Sequence, residues 1–200
     1  EDTHPLYNLG DATKSTLSTG FGALGWGSFG ANAYNRSSGT GSVAMGFNTI
    51  AGSPLDIDRQ GFDINGGNVG QFSAGYASRA IGNVSTATGF RNTASGGSSV
   101  ALGNYNYATG DATIALGKEN WAEGASTIAI GFKNHAAGAG SVALGQENIA
   151  WGTTNFTSGY QNVAGDTTAG VGSGGSATAM GKYNTASADA SMALNRGTSA

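Results

Sequence analysis

The chain offers few side chains that could take part in catalysis or hold a metal ion. It contains no cysteine and two histidines, His4 and His135. A lone histidine without a second ligand at metal spacing does not make a zinc site, so we interpret His135 as a surface residue. The acidic residues Asp56, Asp58 and Asp63 lack the turn glycine and the distal glutamate of a calcium loop, and we interpret them as a solvated loop. We therefore predict no catalytic residue, no metal site, no cofactor and no enzymatic activity.

A series of aromatic residues at a fixed interval could instead bind a ligand. Tyr107, Trp121 and His135 follow one another at intervals of 14 residues, and Tyr105 and Trp151 flank this series. Exposed aromatic side chains are enriched at interfaces and at their energetic centres. The series could face a ligand, or it could pack against a neighbouring subunit, and the sequence leaves both interpretations open.

The same interval of 14 residues organises most of the chain. Glycine recurs at this spacing at Gly75, Gly89, Gly103, Gly117, Gly131, Gly145 and Gly159. With this glycine as position 5 of a unit, alanine recurs at positions 3 and 10 and asparagine at position 8, as in SVALGNYNYATGDA and TIALGKENWAEGAS. Self-similarity of this kind indicates stacked repeats.

Each unit predicts one coil of an all-β, single-chain parallel β-solenoid. We expect short strands at positions 1–4 and 7–10, with corners at glycine 5 and at positions 12–13, because glycine adopts the backbone angles of tight turns. Strands of successive coils would stack in parallel. The 36 glycines argue against long helices.

The alternation of side chains along a strand predicts which residues fill the coil. Alanines at positions 3 and 10 suit a narrow interior, so the large apolar residues at positions 2 and 4 would form an outward stripe that other copies cover. In the opposite register the same residues would lie inside one monomer. The stripe residues, which we predict to form the subunit interface, are Val100, Leu102, Ile114, Leu116, Ile128, Ile130, Val142 and Leu144.

The repeat divides the chain into two regions. Residues 1–41 are predicted to form irregular capping coils, and residues 42–200 carry the repeats. The repeat is interrupted near 53–70, which we interpret as a decorated coil or an excursion, and near 165–176, where eight residues are inserted.

The motifs SVAMG, SVALG, TIALG and TIAIG, each followed by asparagine and by a turn of the type Ala-x-Gly, resemble the head repeats of YadA-like trimeric autotransporter adhesins. The resemblance extends over about residues 42–200 and is densest over 72–163. It implies a left-handed β-roll that assembles as a homotrimer. It also implies display at the cell surface by an outer-membrane anchor and a stalk outside these residues.

We therefore expect a non-catalytic adhesion module of the kind that contributes to virulence, whose partners are its own copies and extracellular matrix or other surface ligands. A receptor-binding segment of a phage tail fibre is the alternative. Nine basic residues and a net charge of −3 give no electrostatic footprint for nucleic acid. An ice-binding array would need threonine at every position 1. Thr113 and Thr127 occupy this position, but its other occupants include Ser99, Ser141 and Asn155.

Overall fold

The computed structural model describes residues 28–31, 34–52, 69–166 and 175–200. It divides into two units, Glu1–Gly103 and Asn104–Ala200, and each is a parallel β-solenoid. The described residues form strands and turns, and they include no helix that could cross a membrane. The aspartates of the predicted solvated loop and His4 lie outside the described residues.

The first unit contains a sheet of longer strands and a sheet of two-residue strands. The longer strands are β1 (Phe29–Ala31), β3 (Val43–Phe47), β5 (Phe72–Tyr76), β7 (Thr86–Phe90) and β9 (Val100–Asn104). The two-residue strands are β2 (Arg36–Ser37), β4 (Ile50–Ala51), β6 (Arg79–Ala80) and β8 (Thr93–Ala94). Phe29 pairs with Val43 and Arg36 with Ile50, so β1 and β2 already follow the interval of 14.

The second unit has the same two layers, which we call the long-strand sheet and the short-strand sheet. The long-strand sheet contains β11 (Ile114–Lys118), β13 (Ile128–Phe132), β15 (Val142–Gln146), β17 (Phe156–Tyr160), β19 (Thr178–Lys182) and β21 (Met192–Arg196). The short-strand sheet contains β10 (Tyr107–Ala108), β12 (Trp121–Ala122), β14 (His135–Ala136), β16 (Ile149–Ala150), β18 (Val163–Ala164) and β20 (Thr185–Ala186).

Both interruptions of the repeat leave the strand register intact. Gly46 pairs directly with Gly75 across the first interruption, and Gly159 pairs with Gly181 across the second. Residues 53–68, which make up most of the first interruption, lie outside the described residues, so the choice between a decorated coil and an excursion stays a prediction.

Small side chains fill each coil, as the sequence predicts. Ala115 and Ala122, at positions 3 and 10, are fully buried, and so is Thr113 at position 1. The Thr113 hydroxyl donates a hydrogen bond of 2.8 Å to the carbonyl of Gly110 in the preceding turn. Position 1 therefore points into the coil, which excludes an ice-binding role for its threonines.

A ladder of buried asparagines at position 8 joins the coils of the second unit. Asn134 donates through Nδ2 to the carbonyls of Ile130 at 3.0 Å and Gly145 at 2.7 Å, and to Oδ1 of Asn120 at 3.0 Å. Its own Oδ1 accepts from the backbone N–H of Asn148 at 3.0 Å. Each rung thus satisfies buried polar groups of its own coil and of both neighbours. The asparagine ladder consists of Asn106, Asn120, Asn134, Asn148, Asn162 and Asn184.

The predicted strand limits and corners were partly wrong. The long strands run over positions 2–6 and include the glycine, and the short strands cover only positions 9–10. The corner lies at position 7, where Tyr105 and Glu119 have φ of 55° and 56°, and another positive φ occurs at position 14. Ordinary residues can occupy this left-handed region, so the corners do not select glycine. Position 5 does, because Gly117 and its equivalents have φ near +114°.

Candidate ligand-binding ridge

Two outward faces of the second unit carry large side chains. Positions 2 and 4 project from the long-strand sheet, and position 9 projects from the short-strand sheet. The alanines of both sheets point inward, since Ala115 and Ala122 are fully buried. The two sets of large residues therefore lie on different sheets and face away from the shared interior.

The structure brings four of the five predicted ligand-binding residues into one row, which we call the aromatic ridge: Tyr107, Trp121, His135 and Trp151. Ring centroids are 5.6 Å apart between Tyr107 and Trp121, 5.6 Å between Trp121 and His135, and 5.5 Å between His135 and Trp151. Parallel pairing of β10, β12 and β14 sets the spacing of Tyr107, Trp121 and His135, because these equivalent residues lie side by side. Tyr107 is 37% exposed and Trp121 is 46% exposed.

The fifth residue, Tyr105, lies beside the ridge and completes an open groove of about 340 Å³. The groove is lined by Tyr105, Tyr107, Glu119 and Trp121, at positions 7 and 9 of two successive coils. The positive φ of Tyr105 turns the chain at this corner and places its side chain next to that of Tyr107. The groove thus combines aromatic faces with two phenol hydroxyls and one carboxylate.

Charged groups around the groove compensate one another. The Glu119 carboxylate lies 3.4 Å from Nζ of Lys118 and 3.7 Å from Nζ of Lys133. Glu123 lies 3.2 Å from Nε2 of His135 on the ridge. These exposed pairs contribute little to stability, but they leave no strong field of one sign at the groove.

Further along the same column of position 7, hydrogen bonds from Gln161 and Gln146 lower the pKa of Glu147 from its ordinary value. The nearby Lys133 ammonium acts in the same direction. Glu147 therefore remains ionised at neutral pH, and the column Glu119, Lys133, Glu147 alternates in sign from coil to coil.

The sequence model of the YadA head domain repeat matches residues 36–52, 94–120, 122–148 and 173–194. The chain carries YadA head domain repeats. The matched segments coincide with coils of the solenoid and contain every residue of the predicted interface stripe. A sequence comparison with curated proteins finds no match to this chain.

The stripe of the YadA head repeats points outward, which confirms the predicted register. Val100 and Leu102 in the first unit are half-buried, and so are Ile114 and Leu116 in the second. Ile128, Val142 and Leu144 are also half-buried, and Ile130 is 37% exposed. That the stripe meets other copies remains a prediction.

A column of aromatic residues at position 6 of the repeats was missed in the sequence analysis. In the first unit Phe47, Tyr76 and Phe90 stack with centroids 5.4 and 5.1 Å apart and near-parallel rings. The signal was available, because each of them directly follows the glycine of its repeat. This column lies on β3, β5 and β7 of the first unit, outside the strands that carry the stripe.

The described part of these repeats contains no cluster of three metal-ligating side chains. YadA head repeats define a non-enzymatic adhesin family. The ridge and the stripe are therefore the candidate functional surfaces of this chain.

Proposed function

We propose that the chain is the head of a trimeric, cell-surface adhesin with no catalytic activity. Three copies pack through the Val/Ile/Leu stripe of the long-strand sheets as left-handed β-rolls. The head is held outside the outer membrane by regions beyond this chain and attaches to extracellular matrix or other surface ligands.

The observation that carries the proposal is the outward stripe itself. Leu116 and its equivalents are bulky and apolar, yet each remains partly exposed on a single chain. A continuous apolar surface of this kind on a soluble protein marks an interaction site. Because the same residue types recur from coil to coil, identical copies can bury the stripe along its length in register.

Association into a trimer also serves attachment. Three copies present three identical outer faces, so weak contacts at each face add up when a ligand is displayed repeatedly on a surface. The repeat supplies a rigid framework for these faces, because neighbouring coils are joined by strand pairing and by the asparagine ladder.

Replacing Leu116 with aspartate is expected to convert the trimer to monomers, because a carboxylate would then have to be buried between copies. Light scattering on the purified chain measures the mass. The matched control is Val163→Asp, since Val163 is a half-buried, outward residue on the short-strand sheet. The control is expected to remain trimeric.

Two results would contradict the proposal. A wild-type chain that is monomeric at micromolar concentration would remove the trimer. Dissociation by Val163→Asp together with a trimeric Leu116→Asp variant would move the interface to the short-strand sheet.

A further inference from the structure

We propose that the aromatic ridge is a binding site for a neutral, linear glycan, whose sugar rings lie along successive coils of the second unit. This inference rests on the proposed role in attachment, and it requires that the ridge stay uncovered when the stripe is covered. It assigns a ligand class to the ridge on the short-strand sheet, whereas the proposed trimer forms through the stripe on the long-strand sheet.

The ridge remains open when the stripe is covered. Trp121 projects from the short-strand sheet and Leu116 from the long-strand sheet, with the buried alanines between them. Copies that pack through Leu116 therefore leave Trp121 on the outside.

The lining of the groove has the mixed chemistry that a sugar requires. A pyranose ring has faces of C–H groups and a rim of hydroxyls. Trp121 and Tyr107 offer partly exposed aromatic rings for the first, and the Glu119 carboxylate offers a hydrogen-bond acceptor to the second. A volume of about 340 Å³ lies at the lower end of small-molecule sites and suits a ligand that enters one or two rings at a time.

The charges favour a neutral ligand. Glu119 is paired with Lys118 and Lys133, and the Glu123 carboxylate lies 3.2 Å from Nε2 of His135. An anionic polymer would meet these carboxylates, and the lysines already have partners. A neutral glycan needs no net field and can still use the carboxylate oxygens as acceptors.

The backbone of the ridge gives a peptide strand no place to pair. β12 is hydrogen-bonded to β10 on one side and to β14 on the other. Addition of a strand to a sheet requires a free edge, which this part of the short-strand sheet lacks. A ligand must therefore lie on the side chains.

The regular spacing favours a repeating ligand. Ring centroids along the ridge are 5.5–5.6 Å apart over four residues. One sugar unit of an extended, β-linked chain is of similar length, so successive rings can meet successive side chains. The rings of Tyr107, Trp121 and His135 are fixed on paired strands, which reduces the entropy lost on binding.

Isothermal titration of the full chain with cellohexaose, a neutral β-1,4-linked hexasaccharide, tests this site. We expect saturable binding that Trp121→Ala weakens about tenfold or more. The matched control is Phe90→Ala, because Phe90 is an exposed aromatic residue, 37% exposed, in the column of position 6. The control is expected to bind as the wild type does, and circular dichroism verifies that both variants are folded.

Two further titrants define the ligand class. Maltohexaose has the same sugar in a curved, α-linked chain and is expected to bind at least several-fold more weakly. Heparin, an anionic polymer, is expected not to bind at the ridge. Equal affinity for maltohexaose, or heparin binding that Trp121→Ala abolishes, would overturn the assignment.

Absence of cellohexaose binding to the folded wild type would overturn the site, as would equal losses in Trp121→Ala and Phe90→Ala. The mass of each sample separates this inference from the proposed function. A trimer that binds no cellohexaose defeats only the glycan site. A monomer whose binding depends on Trp121 supports the site and defeats the trimer.

Discussion

Replacing Gly131 with alanine is expected to lower the free energy of unfolding of the second unit by about 3–5 kcal/mol. Gly131 has φ of +124°, which residues with a side chain rarely adopt. A Cβ atom placed there would lie 2.0 Å from the carbonyl oxygen of Gly145 in the next coil. That oxygen belongs to a paired strand, so the overlap can be relieved only by shifting β13 against β15. Chemical denaturation followed by circular dichroism measures the loss.

Gly140→Ala is the matched control, because it makes the same substitution in the same coil. Gly140 has φ of +67°, and its nearest neighbour to a new Cβ is the flexible side chain of Thr154 at 3.3 Å. Ala112 and Ala190 occupy the equivalent position in other coils at φ of 55° and 54°. We expect a change of about 1 kcal/mol or less in the control. Equal denaturation midpoints for the two variants would show that close approach of the coils does not select glycine.

The stacking could be predicted from sequence because position 5 tolerates almost nothing but glycine. Among the described residues the exception is Asn195 at φ of +80°, in the coil after which no further coil is described. The clash at this position is with the following coil, since a Cβ on Gly181 would meet the carbonyl of Asn195 at 2.0 Å. The period of glycine therefore records backbone contact between coils as well as local turn geometry.

The corners could not be placed from sequence, because they do not exclude a side chain as position 5 does. At φ near +55° the energetic penalty for a side chain is modest, so Glu119 and Lys133 stand where a turn glycine is expected. Residue type therefore reports the positions that exclude a Cβ and not all of the positions that bend. The predicted strand limits were wrong because they were set by the predicted corner at glycine 5. Gly117 was assigned to that corner, whereas the strand includes it and continues to Lys118.

The candidate site was predictable where it depends on alternation. Once Ala122 is assigned to the interior, Trp121 must project from the short-strand sheet, and stacking then aligns it with Tyr107 and His135. The groove was not predictable, because it depends on the corner conformation of Tyr105 and on the neighbouring Glu119. Neither follows from a pattern of hydrophobic residues.

The function of asparagine at position 8 could not be recognised from its recurrence. Asn120 is fully buried, although asparagine is mostly a surface residue. A planar amide with two donors and one acceptor can bridge its own coil and both neighbours, which neither serine nor leucine can do. In the first unit the equivalent residues include Thr49 and Ser78, and the ladder there is less complete.

Asn134→Ala is expected to destabilise the second unit by about 3–5 kcal/mol, because it removes the hydrogen-bond partners of buried groups in its own coil and in the next one. The carbonyl of Gly145 would lose its donor at 2.7 Å, and the N–H of Asn148 would lose its acceptor at 3.0 Å. Oδ1 of Asn120 would lose the Nδ2 donor at 3.0 Å but would keep the backbone N–H of residue 134. Thermal and denaturant unfolding measure the effect.

Asn134→Ser separates the hydrogen bonds from the volume of the side chain. Ser78 occupies the same position in the first unit, donates to the carbonyl of Gly89 at 3.2 Å and accepts from the N–H of Asn92 at 3.4 Å. Serine at 134 can therefore restore a weakened donor and a weakened acceptor, and we expect its stability to lie between those of the wild type and Asn134→Ala. If the serine and alanine variants were equally stable, the ladder would act through packing, and its hydrogen bonds would contribute nothing to the joining of the coils.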